Sequence, residues 1–340
     1  MLTIEKNKDL TPYTTLKIGA PAEFFAVVRN RAELKEAIAW AKAKHQPIWV
    51  LGGGSNILIS RKIKGLVIKN EIRGMSVIKR TKTSALVEAL SGESWTRFVN
   101  FTLDNKLYGL ENLFLIYGTV GGAPIQNIGA YGVELKDVFY NLLAIDLKTG
   151  REKIFSAVDC QFGYRDSIFK NRLKGKYFIY SITVKLRRQP KLCLEYGALR
   201  EELAKRQIIK PTVRDLIAAI QTLRNSKLPS PANLPNAGSF FKNVEISQAR
   251  FERLTAEYPQ APSFPSAHAG YIKIPAGWLI EQVGFKGKKI GPVGMYEKQA
   301  LVLANHGGAT AKQALVLVKK VKSAVRSRFG LDLEEEVNII

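Results

Sequence analysis

The stretch Gly118-Thr119-Val120-Gly121-Gly122-Ala123-Pro124-Ile125-Gln126-Asn127-Ile128-Gly129-Ala130-Tyr131-Gly132 places five glycines within fifteen residues. Glycine gives up more backbone freedom on folding than any other residue, so this density signals positive φ angles or a ligand lying against the main chain. A purely structural loop is the competing reading. Gln126 and Asn127 carry both donors and acceptors, which suits the edge of a heteroaromatic ring.

A second glycine cluster lies upstream, where the apolar run Ile48-Trp49-Val50-Leu51 ends in Gly52-Gly53-Gly54-Ser55-Asn56 and a second short run, Ile57-Leu58-Ile59, follows. This loop lacks the lysine of a nucleotide-triphosphate loop and the third glycine and helix of a dinucleotide fingerprint. What is left is a strand end whose amides can converge on an anion such as a pyrophosphate. A plain tight turn fits the same residues.

Outward from these loops, Leu34, Ala37, Ile38 and Ala41 follow helical spacing over Arg31 to Lys44, with Asn30 placed to cap. Short strands are predicted at Gly65 to Lys69, Ala85 to Leu90, Leu142 to Asp146 and Tyr177 to Leu186. Helical stretches are predicted at Ser94 to Asp104 and Thr212 to Ser226. The plan is α+β. Pro229, Pro231 and Pro235 mark a loop, because proline lacks the donor that helices and sheets need, and a domain boundary is placed near residue 211.

The chain has 340 residues, 46% of them hydrophobic, which at about 150 residues per domain suggests two or three domains. No apolar run approaches the ~20 residues of a membrane span, and the charged N-terminus offers no secretory signal, so a cytoplasmic address is expected. Cys160 and Cys193 read as reduced thiols. His45, His268 and His306 are scattered, which argues against a metal site. The net charge of +23 attracts polyanions without choosing among them. Much of it falls on the last helix, where Lys312, Lys319, Lys320, Lys322, Arg326 and Arg328 alternate with an apolar face. No recognisable nucleic-acid module is present, so no specific nucleic-acid partner is expected.

Six ordered motifs then single out a family: Gly52 to Asn56; Gly118 to Gly132; Phe162-Gly163-Tyr164-Arg165-Asp166-Ser167; Asn236-Ala237-Gly238-Ser239-Phe240-Phe241-Lys242-Asn243; Ala276-Gly277-Trp278-Leu279-Ile280; and Leu333-Glu334-Glu335-Glu336-Val337. In these the chain resembles the UDP-N-acetylenolpyruvoylglucosamine reductase family over nearly its whole length. The resemblance implies an FAD-binding fold of vanillyl-alcohol-oxidase type in two subdomains, residues 1–70 and 71–211. A C-terminal α+β substrate domain, residues 212–340, follows, its last strand able to pack back on the FAD region. It implies NADPH-dependent reduction of UDP-N-acetylglucosamine enolpyruvate for peptidoglycan synthesis, by a monomer. It also implies cofactor contacts from Leu51 to Asn56, from Gly118, Thr119, Val120, Gly121 and Gly122, from Gln126 and Asn127, and from Gly129 to Gly132. Substrate contacts are implied at Tyr164, Tyr196, Lys227, Asn243 and Gln299, with Tyr196 marking the branch that closes a tyrosine-bearing loop over the nucleotide. Two positions depart from the family: Tyr117 stands where proline is common, and Asn338 where arginine is.

The reaction needs a cation for a developing enolate and a proton for carbon. Arg165 is a permanent cation suited to a carboxylate or enolate. Ser239 is the proposed proton donor, a weak acid made effective by position; without the motif it would read as a small turn residue. Glu336 can assist at the enolate oxygen. Strand alternation puts Glu334 and Glu336 on one face, so spacing cannot separate them, and only the family motif selects the acid before Val337. Two other classes compete with this reading. A flavin oxidase would carry a covalent His or Cys link, and neither residue type sits in either glycine loop. A polyanion-binding protein would hold no flavin.

Overall fold

The computed structural model describes residues 2–266 and 268–340. They group into two compact units. The first comprises Met1–Lys8, Pro21–Gly53 and Ile63–Asn225; the second comprises Asp9–Ala20, Gly54–Lys62 and Ser226–Ile340.

Two sheets build the first unit. One has the strand order Glu5–Asp9, Pro21–Val28, Ile63–Asn70, Ile48–Leu51. Ile63–Asn70 pairs in parallel with both of its neighbours, Leu51 standing beside Lys69. Parallel pairing requires a crossover, and the helix Arg31–Ala43 supplies it, the Asn30 side chain accepting from the Glu33 amide at 2.9 Å. Leu34, Ala37, Ile38 and Ala41 bury their side chains against Leu66 and Ile68. At roughly 1.5–3 kcal/mol per fully buried aliphatic chain, this contact dominates the local stability. Because side chains alternate along a strand, Val67 and Lys69 project from the opposite face.

The other sheet is antiparallel, in the order Glu152–Ser156, Phe139–Asp146, Tyr177–Arg187, Ser84–Leu90, Met75–Arg80. Val87, Ala89, Leu142, Ala144, Ile182 and Val184 enclose Phe98 and Val99 of the helix Trp95–Asp104. A smaller cluster joins the helices Gly197–Lys205 and Val213–Lys227 through Leu199, Leu203, Leu216, Ala219 and Ile220.

In the second unit, strands Asn236–Ser239, Val302–Asn305, Val293–Met295 and Lys289–Ile290 form an antiparallel sheet in that order. Its core gathers Phe240, Leu279, Ile280 and Leu303 with Leu317, Val321 and Val325 of the helix Ala311–Phe329. Thr310 and Gln313 form a reciprocal capping box at the start of that helix, and Gly330, at φ 63°, ends it. The C-terminal strand Asn338–Ile339 pairs in parallel with Ile57–Leu58. The segment just after the first glycine loop thus belongs with the C-terminal half of the sequence. Among the described residues no helix is long and apolar enough to cross a membrane.

Candidate active site

The first glycine loop leaves the sheet at Leu51, which is buried. Its backbone meets the second loop directly. A methyl on Gly53 would stand 3.0 Å from the Gly118 Cα, and one on Gly52 would lie 2.6 Å from the Thr119 Oγ1. The Gly52 and Gly53 amides donate to no other described residue. Open amides at a strand end, with no side chain in the way, fit the diphosphate of a dinucleotide. On its other side the loop is anchored within the second unit. The Gly54 carbonyl accepts from the Thr15 amide at 3.0 Å, and a methyl on Gly54 would fall 2.0 Å from the Tyr13 carbonyl oxygen. The Asn56 carbonyl accepts from both the backbone and the side chain of Asn338, each at 3.1 Å. Asn338, where the family commonly has arginine, is therefore a strand clamp.

The second loop opens with a single 3-10 turn, Val120–Gly122. The amides of Val120 and Gly121 donate to the carbonyls of Glu93 and Ser91 at 2.9 and 2.8 Å. Gln126 is half-buried. Asn127 is fully buried and adopts a left-handed φ of 43°. Its Nδ2 donates to Glu134 Oε2 at 2.9 Å and to the Gly163 carbonyl at 3.0 Å, while its Oδ1 accepts from the Lys136 amide at 3.0 Å. Both N–H groups of the Asn127 side chain are thus spent inside the loop, as the burial of an amide demands.

Arg165 sits in a tight turn closed by Gly163 and Asp166, with the uncommon left-handed φ of 52°. Its Nη2 donates to the Gly129 carbonyl at 2.6 Å, and its guanidinium lies 5.5 Å from the centre of the Tyr164 ring. Glycine at 129 permits this approach, since a methyl there would stand 2.9 Å from Nη1. Tyr131, also left-handed at φ 49°, meets Tyr196 edge-on with ring centres 5.3 Å apart. Two residues that sequence reasoning missed hold this corner. Buried Asn112 donates from Nδ2 to the carbonyls of Tyr131 and Cys193, both at 2.9 Å, docking the tyrosine-bearing segment on the loop. Arg224 hydrogen-bonds the Tyr131 hydroxyl, whose pKa is raised mainly by burial. No local motif announces either residue. Both cysteines are free, and burial pushes the Cys160 thiol up to about 12.

In the second unit Ser239 pairs with Val302 at the end of its strand, just past a register shift where Gly238 takes φ 71°. Asn236 Oδ1 accepts from the Gly238 amide at 2.9 Å and fixes that kink. The Phe240 carbonyl, next along the chain from Ser239, accepts from the Glu336 amide at 2.8 Å. The structure therefore brings the Ser239 and Glu336 segments side by side. Of the three neighbouring acids, Glu334 pairs with Lys242 at 2.5 Å, Glu335 pairs with Lys322 at 2.8 Å, and Glu336 is half-buried. Asn243 and Gln299 meet at one helix, Ala276–Gln282. Asn243 Oδ1 accepts from the Ala276 amide at 3.1 Å, and a methyl on Gly277 would stand 2.9 Å from Gln299 Oε1. Lys227 ends the helix Val213–Lys227 with its side chain exposed.

Known proteins bear on both halves. A family model for an FAD binding domain matches residues 22–156. A model for the C-terminal domain of UDP-N-acetylenolpyruvoylglucosamine reductase matches residues 230–340. The UDP-N-acetylenolpyruvoylglucosamine reductase of Pseudomonas aeruginosa is 45% identical over 338 residues, covering 99% of each chain. That of Flavobacterium johnsoniae is 43% identical over 340 residues and 100% of each chain. A crystal structure of UDP-N-acetylenolpyruvylglucosamine reductase from Thermus caldophilus superimposes with a TM-score of 0.67 at 22% identity, over 100% of this chain and 98% of that one, and so shares the fold. With nearly half of its residues shared along the full length of a relative that carries both halves, the chain belongs to the UDP-N-acetylenolpyruvoylglucosamine reductase family.

Proposed function

We propose that the protein reduces UDP-N-acetylglucosamine enolpyruvate to UDP-N-acetylmuramate with NADPH, through FAD, as a cytoplasmic monomer in peptidoglycan precursor synthesis. The main support is the match to a named reductase along 99% of the chain; either glycine loop alone would suit any flavoprotein. When bound, FAD supplies the hydride chemistry. Residues 1–70 and 71–211 are its two subdomains in this reading, and residues 212–340 hold the nucleotide sugar.

The chain's own groups supply the rest. Arg165 presents its guanidinium, held against Gly129 and Tyr164, to the substrate carboxylate and the developing enolate. Ser239 gives its hydroxyl proton to carbon; the kink at Gly238, pinned by Asn236, fixes where that hydroxyl stands. Glu336 assists at the enolate oxygen; it is half-buried, and its amide bonds the Phe240 carbonyl next to Ser239. Tyr164, Tyr196, Lys227, Asn243 and Gln299 position the nucleotide sugar. Leu51 to Asn56 and the backbone of the second loop hold the cofactor.

Stopped-flow flavin absorbance tests the reading. The protein is reduced anaerobically with NADPH, the enolpyruvyl UDP-sugar is added, and rapid reoxidation is expected. Ser239→Ala should slow reoxidation by about a thousandfold while leaving reduction by NADPH unchanged. Reduction without reoxidation in the parent protein would send the search to other acceptors, and an equal loss of both half-reactions in Ser239→Ala would remove Ser239 from its role.

A further inference from the structure

Lys69 follows the buried run Leu66-Val67-Ile68 in the strand Ile63–Asn70, whose other lysine, Lys64, is exposed. It projects from the sheet face away from the helix Arg31–Ala43, beside Leu51, and is half-buried. Its ammonium donates to the carbonyl of Gly52. Among the described residues it forms no ion pair, and burial lowers its pKa from the ordinary lysine value. Desolvating a cation for one backbone hydrogen bond is unfavourable in isolation, so the contact needs a reason beyond stability.

Peptide geometry gives one. All described peptide bonds are trans. In a trans peptide the carbonyl and the following N–H are coplanar and point in opposite directions. A donor that fixes the Gly52 oxygen therefore turns the Gly53 N–H to the far side of the loop. That amide donates to no described residue, and its Cα packs against Gly118. Glycine at 52 and 53 leaves this peptide unit free to rotate unless something holds it. Lys69 is what holds it.

We infer that Lys69 is a positioning residue for the cofactor: it locks the Gly52–Gly53 peptide so that the Gly53 amide meets the dinucleotide diphosphate. The inference rests on the FAD reading above. It acts through the backbone, with the ammonium's charge adding to the field at the loop.

The test titrates FAD into apoprotein, following flavin fluorescence, with apoprotein melting and the 31P resonances of bound FAD as further readouts. Lys69→Met should weaken FAD about tenfold, the scale of one charge-assisted hydrogen bond, and move the diphosphate resonances while leaving apoprotein melting unchanged. Lys69→Arg, which keeps a charged donor, should restore affinity to within about threefold. If Lys69→Met does not fold, Lys69→Gln, too short to reach the carbonyl, carries the same expectation. Unchanged FAD affinity with unmoved 31P signals would overturn the inference, as would Met and Arg variants equally weakened with lowered apoprotein melting. A parent protein that takes up no FAD would instead sink the cofactor reading itself.

Discussion

The two glycine loops use the same residue for different physical ends. In Gly52-Gly53-Gly54 a single glycine, Gly54, takes a left-handed φ, at 65°, and the others are small because another backbone or side chain lies against them. In the second loop Gly118 and Gly132 have positive φ, yet so do Asn127 and Tyr131, which are not glycines. Gly121 and Gly129 are there for space, against Ser91 and Arg165. Glycine density thus marks close approach at least as much as backbone handedness. Where a side chain can be hydrogen-bonded in place, as Asn127 is, the left-handed conformation is sustained without glycine.

That contrast can be broken most severely at Gly54, where conformation and crowding coincide. Gly54→Ala forces an alanine into φ 65° with its methyl 2.0 Å from the Tyr13 carbonyl oxygen. A left-handed alanine and an overpacked contact together should cost about 4 kcal/mol, read as a lower urea midpoint with the slope unchanged. Retained stability would mean that this loop is not rigid at all. Gly129→Ala probes crowding without handedness. Its methyl meets the Arg165 guanidinium, so kcat/KM for the enolpyruvyl substrate should fall about a hundredfold, with the rate of flavin reduction by NADPH held within about threefold. Equal loss in both half-reactions would tie Gly129 to the cofactor and release Arg165 from the explanation.

Much of this was legible in the sequence because it is local. Apolar spacing located the helix Arg31–Ala43 and its Asn30 cap, and the strand ending at Leu51 announced itself by an abrupt run of glycine. What escaped is held by partners far apart in the chain. The strand Pro21–Val28 opens with a proline and shows no alternation, since both of its faces are partly covered. Thr15 links the Gly54 carbonyl to the Asn236 carbonyl, 221 residues away, and no pattern in the neighbourhood of a threonine reports that. Glu334 pairs with Lys242, 92 residues away, a contact that no local spacing reports. Asn112 is the sharpest case, a buried amide whose two acceptors lie 19 and 81 residues downstream. Asn112→Ala should cost about 2 kcal/mol, because two part-buried carbonyls lose their donor. It should also raise the proteolytic sensitivity of the Tyr196 segment. If cleavage there does not change, the tyrosine pair alone docks the segment.

The smallest expected effect is the most discriminating. Gly122 lies in the second loop with φ outside the left-handed region and its nearest outside atom, Thr119 Oγ1, 4.0 Å from where a methyl would stand. Nothing in the protein itself requires glycine there. Gly122→Ala should therefore change apoprotein stability by no more than about 0.5 kcal/mol, since a compatible substitution chiefly restricts the unfolded chain. If FAD lies against the main chain at this point, the same methyl occupies the cofactor's space, and FAD affinity should fall about tenfold while stability holds, a difference of about 1.4 kcal/mol between two measurements on one variant. A methyl tolerated in both would show that this glycine answers neither to the fold nor to the ligand. A methyl that destabilises the apoprotein would return Gly122 to the company of Gly54 and erase the distinction between the loops.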